Sequence, residues 1–332
     1  MKIMRNKDGF WPNLGALLYV LAGYVAGWVL FFSGNVFLYP LGVLCLAHAM
    51  VIAAYLIHEC AHNTIFMANK WNANLGRILM WVTGACYSTY EEIRHKHFRH
   101  HVDKADVVAF DYRSRLARFP KLVKVMQFLE WLYIPAVEIM MHLLLIILPF
   151  TMQNRYHKRK LVLTGLMIRM IVFAGIFYLQ PVAILLYVIA YLMFLTVMRF
   201  MDVHQHTYEI FETLDQPRGA EAEQFDHDYE QRNTFSNMIS LAHPSLNLLV
   251  LNFGYHNAHH EKPTTPWYRL PALHKQLFAD DQQQIFPFIN LLKSYHHYRV
   301  PRMLNADEGD IEGLEKGRRF VGVDGVSFLT AH

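Results

Sequence analysis

The apolar positions of this chain come in long unbroken runs, not in the alternating or three-to-four spacing of half-buried elements. A helix that crosses a bilayer needs about 20 mostly apolar residues to cover about 30 Å of hydrocarbon. Leu14–Phe32 meets that length without a charge, and Phe37–Ile57 meets it while carrying His48. Leu161–Leu179 and Pro181–Phe200 make a second pair. The links are short, Ser33-Gly34-Asn35-Val36 in the first pair and Gln180-Pro181 in the second, so two helical hairpins are predicted. Arg199, at a span end, can snorkel, whereas Arg169 must face the bundle interior or water. His48 is expected to be hydrogen-bonded inside the bundle. Leu75–Tyr90 is apolar but short, and Trp131–Phe150 carries Glu138 and His142 in its middle, so the pattern alone leaves both open.

Charge supplies orientation, because cytoplasmic loops are rich in Lys and Arg. Lys2, Arg5 and Lys7 put the N-terminus in the cytoplasm, and Arg155, Lys158, Arg159 and Lys160 mark a second cytoplasmic segment. The two hairpin turns hold no Lys or Arg and fall on the far side. The basic start precedes a stretch too long for a signal peptide and without a cleavage site, so no secretory signal is expected. Residues from about 201 to 332 are polar and mixed in charge, and read as part of a cytoplasmic cap.

Composition narrows the class further. The 332 residues are 54% apolar and 17% charged, against about 45–50% and about 25% in soluble domains. Three cysteines, Cys45, Cys60 and Cys86, cannot build a disulfide framework. The odd figure is 20 histidines against 27 acidic residues. An apolar chain loaded with imidazole points to metal held at a membrane.

The histidines cluster three times. His58-Glu59-Cys60-Ala61-His62 closes the second span, and its i and i+4 residues can grip one ion if the helix continues. His97-Phe98-Arg99-His100-His101 and His256-Asn257-Ala258-His259-His260 share the spacing HxxHH, which presents three imidazoles around one helical turn. HExxH alone is the zinc-protease signature and also arises by chance. A single HxxHH could be a wet basic face. All three together are hard to obtain by accident. Eight imidazoles exceed the four ligands of one zinc, and a nitrogen-rich set with spare positions suits iron or another transition metal, with room for two ions.

The three boxes HECAH, HFRHH and HNAHH, in that order, resemble the histidine boxes of the membrane fatty acid desaturases and their related hydroxylases. The resemblance implies an all-α integral membrane protein with four spans (about 14–32, 37–57, 161–179 and 181–200) and interfacial helices. The boxes would lie on a cytoplasmic helical cap made of residues 58–160 and 201–332, with 1–332 forming a single domain. It implies a di-iron centre that activates O2 against an unactivated C–H of a lipid chain. Parity agrees with four spans. If Trp131–Phe150 crossed, the basic 154–160 segment would be exterior and the third box would emerge on the wrong side. Leu75–Tyr90 and Trp131–Phe150 are therefore expected to be interfacial or re-entrant, with Glu138 and His142 near the surface or the site.

On this resemblance the metal ligands are His58, His62, His97, His100, His101, His256, His259 and His260. His206, after the last span, resembles the family's additional ligand and is preferred to His204. Asn252, four residues before His256, is a candidate to approach the metal, with an ordinary capping role as the plain alternative. Glu59, Asp103, Asp106, Asp202 and Glu261 lie near the boxes as candidate carboxylate partners of the imidazoles. His95 is expected to be solvated, and the other histidines outside the boxes to be bystanders. Trp81 and the Met193–Met201 stretch are candidates for lining an acyl tunnel, though plain span packing explains them as well.

Fatty acyl desaturation is the leading expectation. Hydroxylation, or decarboxylation of a free fatty acid to a terminal alkene, could occur on the same centre. A zinc intramembrane protease would leave the other six box histidines unexplained; a membrane metal or haem carrier is a non-enzymatic alternative that metal analysis separates. The reaction needs two electrons, and no CxxC, iron–sulfur cysteine run or HPGG motif is present, since His243-Pro244 continues as Ser-Leu. A separate donor such as ferredoxin, rubredoxin or cytochrome b5 with its reductase is expected on the cytoplasmic face. Arg94, Lys96 and Arg99 are candidates to receive it, and lipid headgroup contact is their plain alternative. Nucleic acid is not an expected partner.

Overall fold

A computed structural model describes residues 3–108, 111–208, 211–214, 225–278, 284–303 and 329. In chain order the helices are α1 (Phe10–Phe32), α2 (Tyr39–Ala61), α3 (Asn69–Thr83), α4 (Tyr90–Asp103), α5 (Tyr112–Leu116), α6 (Pro120–Trp131) and α7 (Ala136–Thr151). There follow α8 (Arg159–Leu179), α9 (Pro181–Val203), α10 (His227–Arg232), α11 (His256–Glu261), α12 (Leu270–Phe278) and α13 (Phe288–Tyr298). The expected all-α architecture needs one addition: β1 (Asp106–Val108) and β2 (Phe211–Thr213) pair in parallel, Asp106 opposite Phe211. The chain divides into two compact units, Met1–Tyr90 with His142–Val197, and Glu91–Met141 with Met198–His332.

Among the described residues, four helical segments are long and apolar enough to cross a membrane: Lys7–Phe32, Val36–Ala61, Gln153–Leu179 and Pro181–Val203. They contain the expected spans; the first and third start earlier because the 3-10 turns Lys7–Gly9 and Gln153–Lys158 lead into α1 and α8. α3 and α7 hold 15 and 16 residues. At about 1.5 Å per residue they reach roughly 22 and 24 Å, short of the hydrocarbon thickness.

In the first unit α1 lies against α2 through small residues. A Cβ on Gly27 would stand 2.8 Å from Leu46 Cβ and 3.1 Å from the Gly42 carbonyl, so the two backbones meet where a side chain has no room. Between them Gly34 turns at φ +71° and Asn35 Oδ1 caps the Phe37 amide at 3.0 Å. Inside the bundle His48 Nδ1 bonds the Tyr19 hydroxyl at 2.6 Å, as expected. Helix α2 ends by an explicit device. The His62 amide still donates to the His58 carbonyl (3.2 Å), Asn63 then takes φ 55°, and Thr64 Oγ1 donates to the Glu59 carboxylate at 2.6 Å.

The second unit contains the C-terminal end of α9, and there one expectation is overturned. Arg199 does not snorkel. It is 1% exposed and ion-paired with the equally buried Glu130 of α6. Glu130 Oε1 also accepts the Val137 amide at 3.3 Å, and its carbonyl accepts Arg299 Nε at 3.1 Å. A buried carboxylate holds the guanidinium in place of interfacial water. Helix α11 is only six residues long and is seated by the apolar cluster Met238, Tyr255, Ala258, Leu270 and Leu273.

Candidate metal centre

The two HxxHH boxes fold as predicted on helical turns, the second within α4 and the third as α11. Helical spacing of three and four residues puts His97, His100 and His101 within one turn, and His256, His259 and His260 within another. In the second unit these turns meet His206, which follows α9. His100, His206, His256 and His260 offer nitrogens within 4.8 Å of one another. His206 Nε2 stands 3.0 Å from His100 Nε2 and 2.8 Å from His256 Nε2. A second set converges beside it: His101 Nε2 lies 3.1 Å from His97 Nε2 and 3.2 Å from His259 Nε2. The rings of His101 and His260, 4.3 Å apart, join the two sets.

The other ring nitrogens decide what these short separations mean. His100 Nδ1 faces the Ala105 carbonyl at 2.9 Å; a carbonyl only accepts, so this nitrogen carries the proton. His260 Nδ1 likewise donates to the Glu230 carboxylate at 2.8 Å. Thr234 Oγ1 gives its own proton to the Glu230 carbonyl (2.7 Å), leaving a lone pair to accept from His206 Nδ1 at 3.3 Å. All three rings therefore present a bare Nε2 lone pair inward, and His260 Nε2 has no hydrogen-bond partner.

Two bare nitrogens 3.0 Å apart repel unless a cation lies between them. A shared proton is disfavoured, since burial, followed by neighbouring imidazoles, drives His206 and His260 well below the usual histidine range. A metal ion fits: nitrogens about 2.1 Å from one ion stand about 3.0 Å apart at a right angle. The donor set, clustered buried imidazole, suits a transition metal.

The remaining predicted residues fall in several places. His58 and His62, in the first unit, hold their rings 4.8 Å apart at the end of α2. Glu59 is buried and bound to Thr64, its Oε1 3.7 Å from His58 Nδ1 and beyond hydrogen-bonding reach. His204 packs against the Phe200 ring and belongs to neither histidine set. Asn252 adopts φ 58° and donates from Nδ2 to the Trp267 carbonyl (3.2 Å), while its Oδ1 is buried without a partner. Asp103 pairs with Arg99, and Glu261 with His227 at 2.9 Å. Asp202 and Glu138 act electrostatically on Lys96. Lys96 is only 3% exposed, and burial lowers its ammonium to about 8 against the pull of those carboxylates. It cannot belong to a docking surface, and Arg99 is committed to Asp103 and Glu212. His95 is exposed, as expected.

Glu230, which orients His260, is not among the carboxylates expected from the sequence. It lies 30 residues before its partner, and no local spacing announces it. Burial raises its carboxyl to about 6.

A comparison with curated proteins finds no match. The family model described as fatty acid desaturase matches residues 34–291, a stretch that includes all three boxes and His206. With that match over most of its length, the chain belongs to the fatty acid desaturase family, a family of oxidoreductases.

Proposed function

We propose that this protein is an O2-dependent fatty acyl desaturase working on two iron ions. The observation that carries the reading is the pair of adjoining Nε2 clusters, one from His100, His206, His256 and His260, the other from His97, His101 and His259. Seven converging imidazoles are too many for one zinc with four ligands. The family pattern adds His58 and His62 of the first box as ligands. Glu59, Asp202 and Asn252 serve in supporting roles at most, with Asn252 Oδ1 available to a water or an ion.

Bound iron would supply the activation of O2 and the removal of hydrogen from a saturated carbon. The protein's own residues fix the rest. Ala105, Thr234 and Glu230 hold three imidazoles in the tautomer that points a lone pair inward, so no ligand has to turn or lose a proton when metal binds. Burial, followed by neighbouring imidazoles, lowers the pKa of His206 and His260 and favours their neutral form. Overall, one O2, two electrons and two protons convert a –CH2–CH2– segment to –CH=CH– and two waters.

The electrons come from a separate donor of the ferredoxin, rubredoxin or cytochrome b5 type. The protein is read as an integral multi-pass membrane protein with both termini and the metal centre on the cytoplasmic side, because the basic segments 2–7 and 155–160 mark that side. Gas chromatography with mass spectrometry of lipids from an expressing cell tests the reaction. A new double bond at unchanged chain length is expected. An oxygenated product, or a terminal alkene one carbon shorter, would replace desaturation by hydroxylation or decarboxylation.

A further inference from the structure

Arg169 stands at the midpoint of α8, ten residues from Arg159 and ten from Leu179. That places it about 15 Å from either helix end. Its guanidinium donates to the Trp81 carbonyl (2.9 Å), the Cys86 sulfur (3.3 Å) and the Tyr187 hydroxyl (3.4 Å). These partners are a backbone carbonyl, a thiol and a phenol, with no carboxylate among them. The first unit has only two carboxylates among its described residues, Asp8 and Glu59. Asp8 precedes α1, and Glu59 is bound to Thr64 in the last turn of α2. A cation at this depth is costly without a counter-charge, and this unit offers Arg169 none.

The same guanidinium lines an apolar cavity of about 420 Å3 whose walls include Tyr24, Trp28, Trp81, Val172 and Phe173. Three of the five guanidinium N–H groups are committed, and two remain for a guest. We infer that this cavity binds a free fatty acid from the bilayer, its carboxylate on Arg169 and its chain along the aromatic wall. Depth selects that guest over a phospholipid. A phosphodiester stays ionised and is tethered to the interface, whereas a carboxylic acid enters hydrocarbon neutral and gives up its proton against a cation. The site lies within the first unit and needs no metal or turnover.

The test uses the purified full-length protein in nanodiscs and the bromine quenching of tryptophan fluorescence, Trp28 and Trp81 serving as reporters. 9,10-Dibromostearic acid should quench saturably. Its methyl ester should bind at least tenfold more weakly, as should the acid with Arg169→Met, and Arg169→Lys should recover part of the loss. Dibromostearoyl phosphatidylglycerol should quench no more tightly than the ester. Equal binding of acid and ester to the unaltered chain, or preferred binding of the phospholipid, would overturn the assignment even if Arg169→Met fails to fold. Because no electron donor or product is involved, these results stand apart from the desaturase reading.

Discussion

His260 donates from Nδ1 to the buried carboxylate of Glu230 across 2.8 Å, and that bond determines which nitrogen of the ring is left for a metal. The ring cannot carry its proton on Nε2 without losing this bond inside a site where both residues are largely shielded from water. Glu230 also orders the neighbouring ligand, because its backbone carbonyl takes the Thr234 hydroxyl proton and so turns the Thr234 lone pair to His206. One residue of α10 thus aims two imidazoles.

Replacing Glu230 by Gln keeps the shape and removes the charge. Removing such an outer carboxylate typically lowers metal affinity by about 10–100-fold. Timed chelator challenge followed by metal analysis should show faster loss from E230Q than from the unaltered protein. Thr234→Val should show a smaller loss in the same assay, and Thr234→Ser should restore it.

His204 and His206 separate two meanings of a buried histidine. His206→Ala should lower bound metal and abolish turnover. His204→Ala, which removes a ring packed edge-on against Phe200 and outside both sets, should keep its metal. Equal metal loss in both variants would contradict the geometry.

The buried Arg199–Glu130 pair should respond asymmetrically. Glu130→Ala leaves a buried guanidinium without its anion, a change that costs about 3–5 kcal/mol. Thermal unfolding in detergent should shift sharply downward. The double variant Arg199→Met with Glu130→Gln should recover much of that loss, because no uncompensated charge remains.

Gly27 tests the approach of α1 to α2. A methyl there would meet Leu46 Cβ at 2.8 Å, closer than carbon atoms pack, so Gly27→Ala should lower the unfolding temperature. Gly15→Ala, where nothing lies within 4 Å, should leave it unchanged or slightly raised.

The parts of this molecule that the sequence made legible are the local ones. Apolar runs announced the long helices, because crossing hydrocarbon is a requirement on consecutive residues. The HxxHH boxes announced their chemistry, because helical periodicity turns a spacing of three and four into one face. What pairing across the fold decides was hidden. Glu230 reaches His260 over 30 residues, and the Ala105 carbonyl carries no side-chain signature at all. Arg199 sits near a helix end and reads as a snorkelling residue until Glu130 is seen beside it. Lys96 shares a segment with Arg94 and Arg99 and reads as surface charge, yet the helix turns it inward.

Metal analysis of the purified full-length protein tests the central claim most directly. Mass-spectrometric elemental quantification against protein concentration should give about two irons per chain. The His100→Ala and His259→Ala variants, each removing a ligand from a different set, should fall clearly below that. About one zinc per chain, or iron content unaffected by either substitution, would contradict the di-iron account.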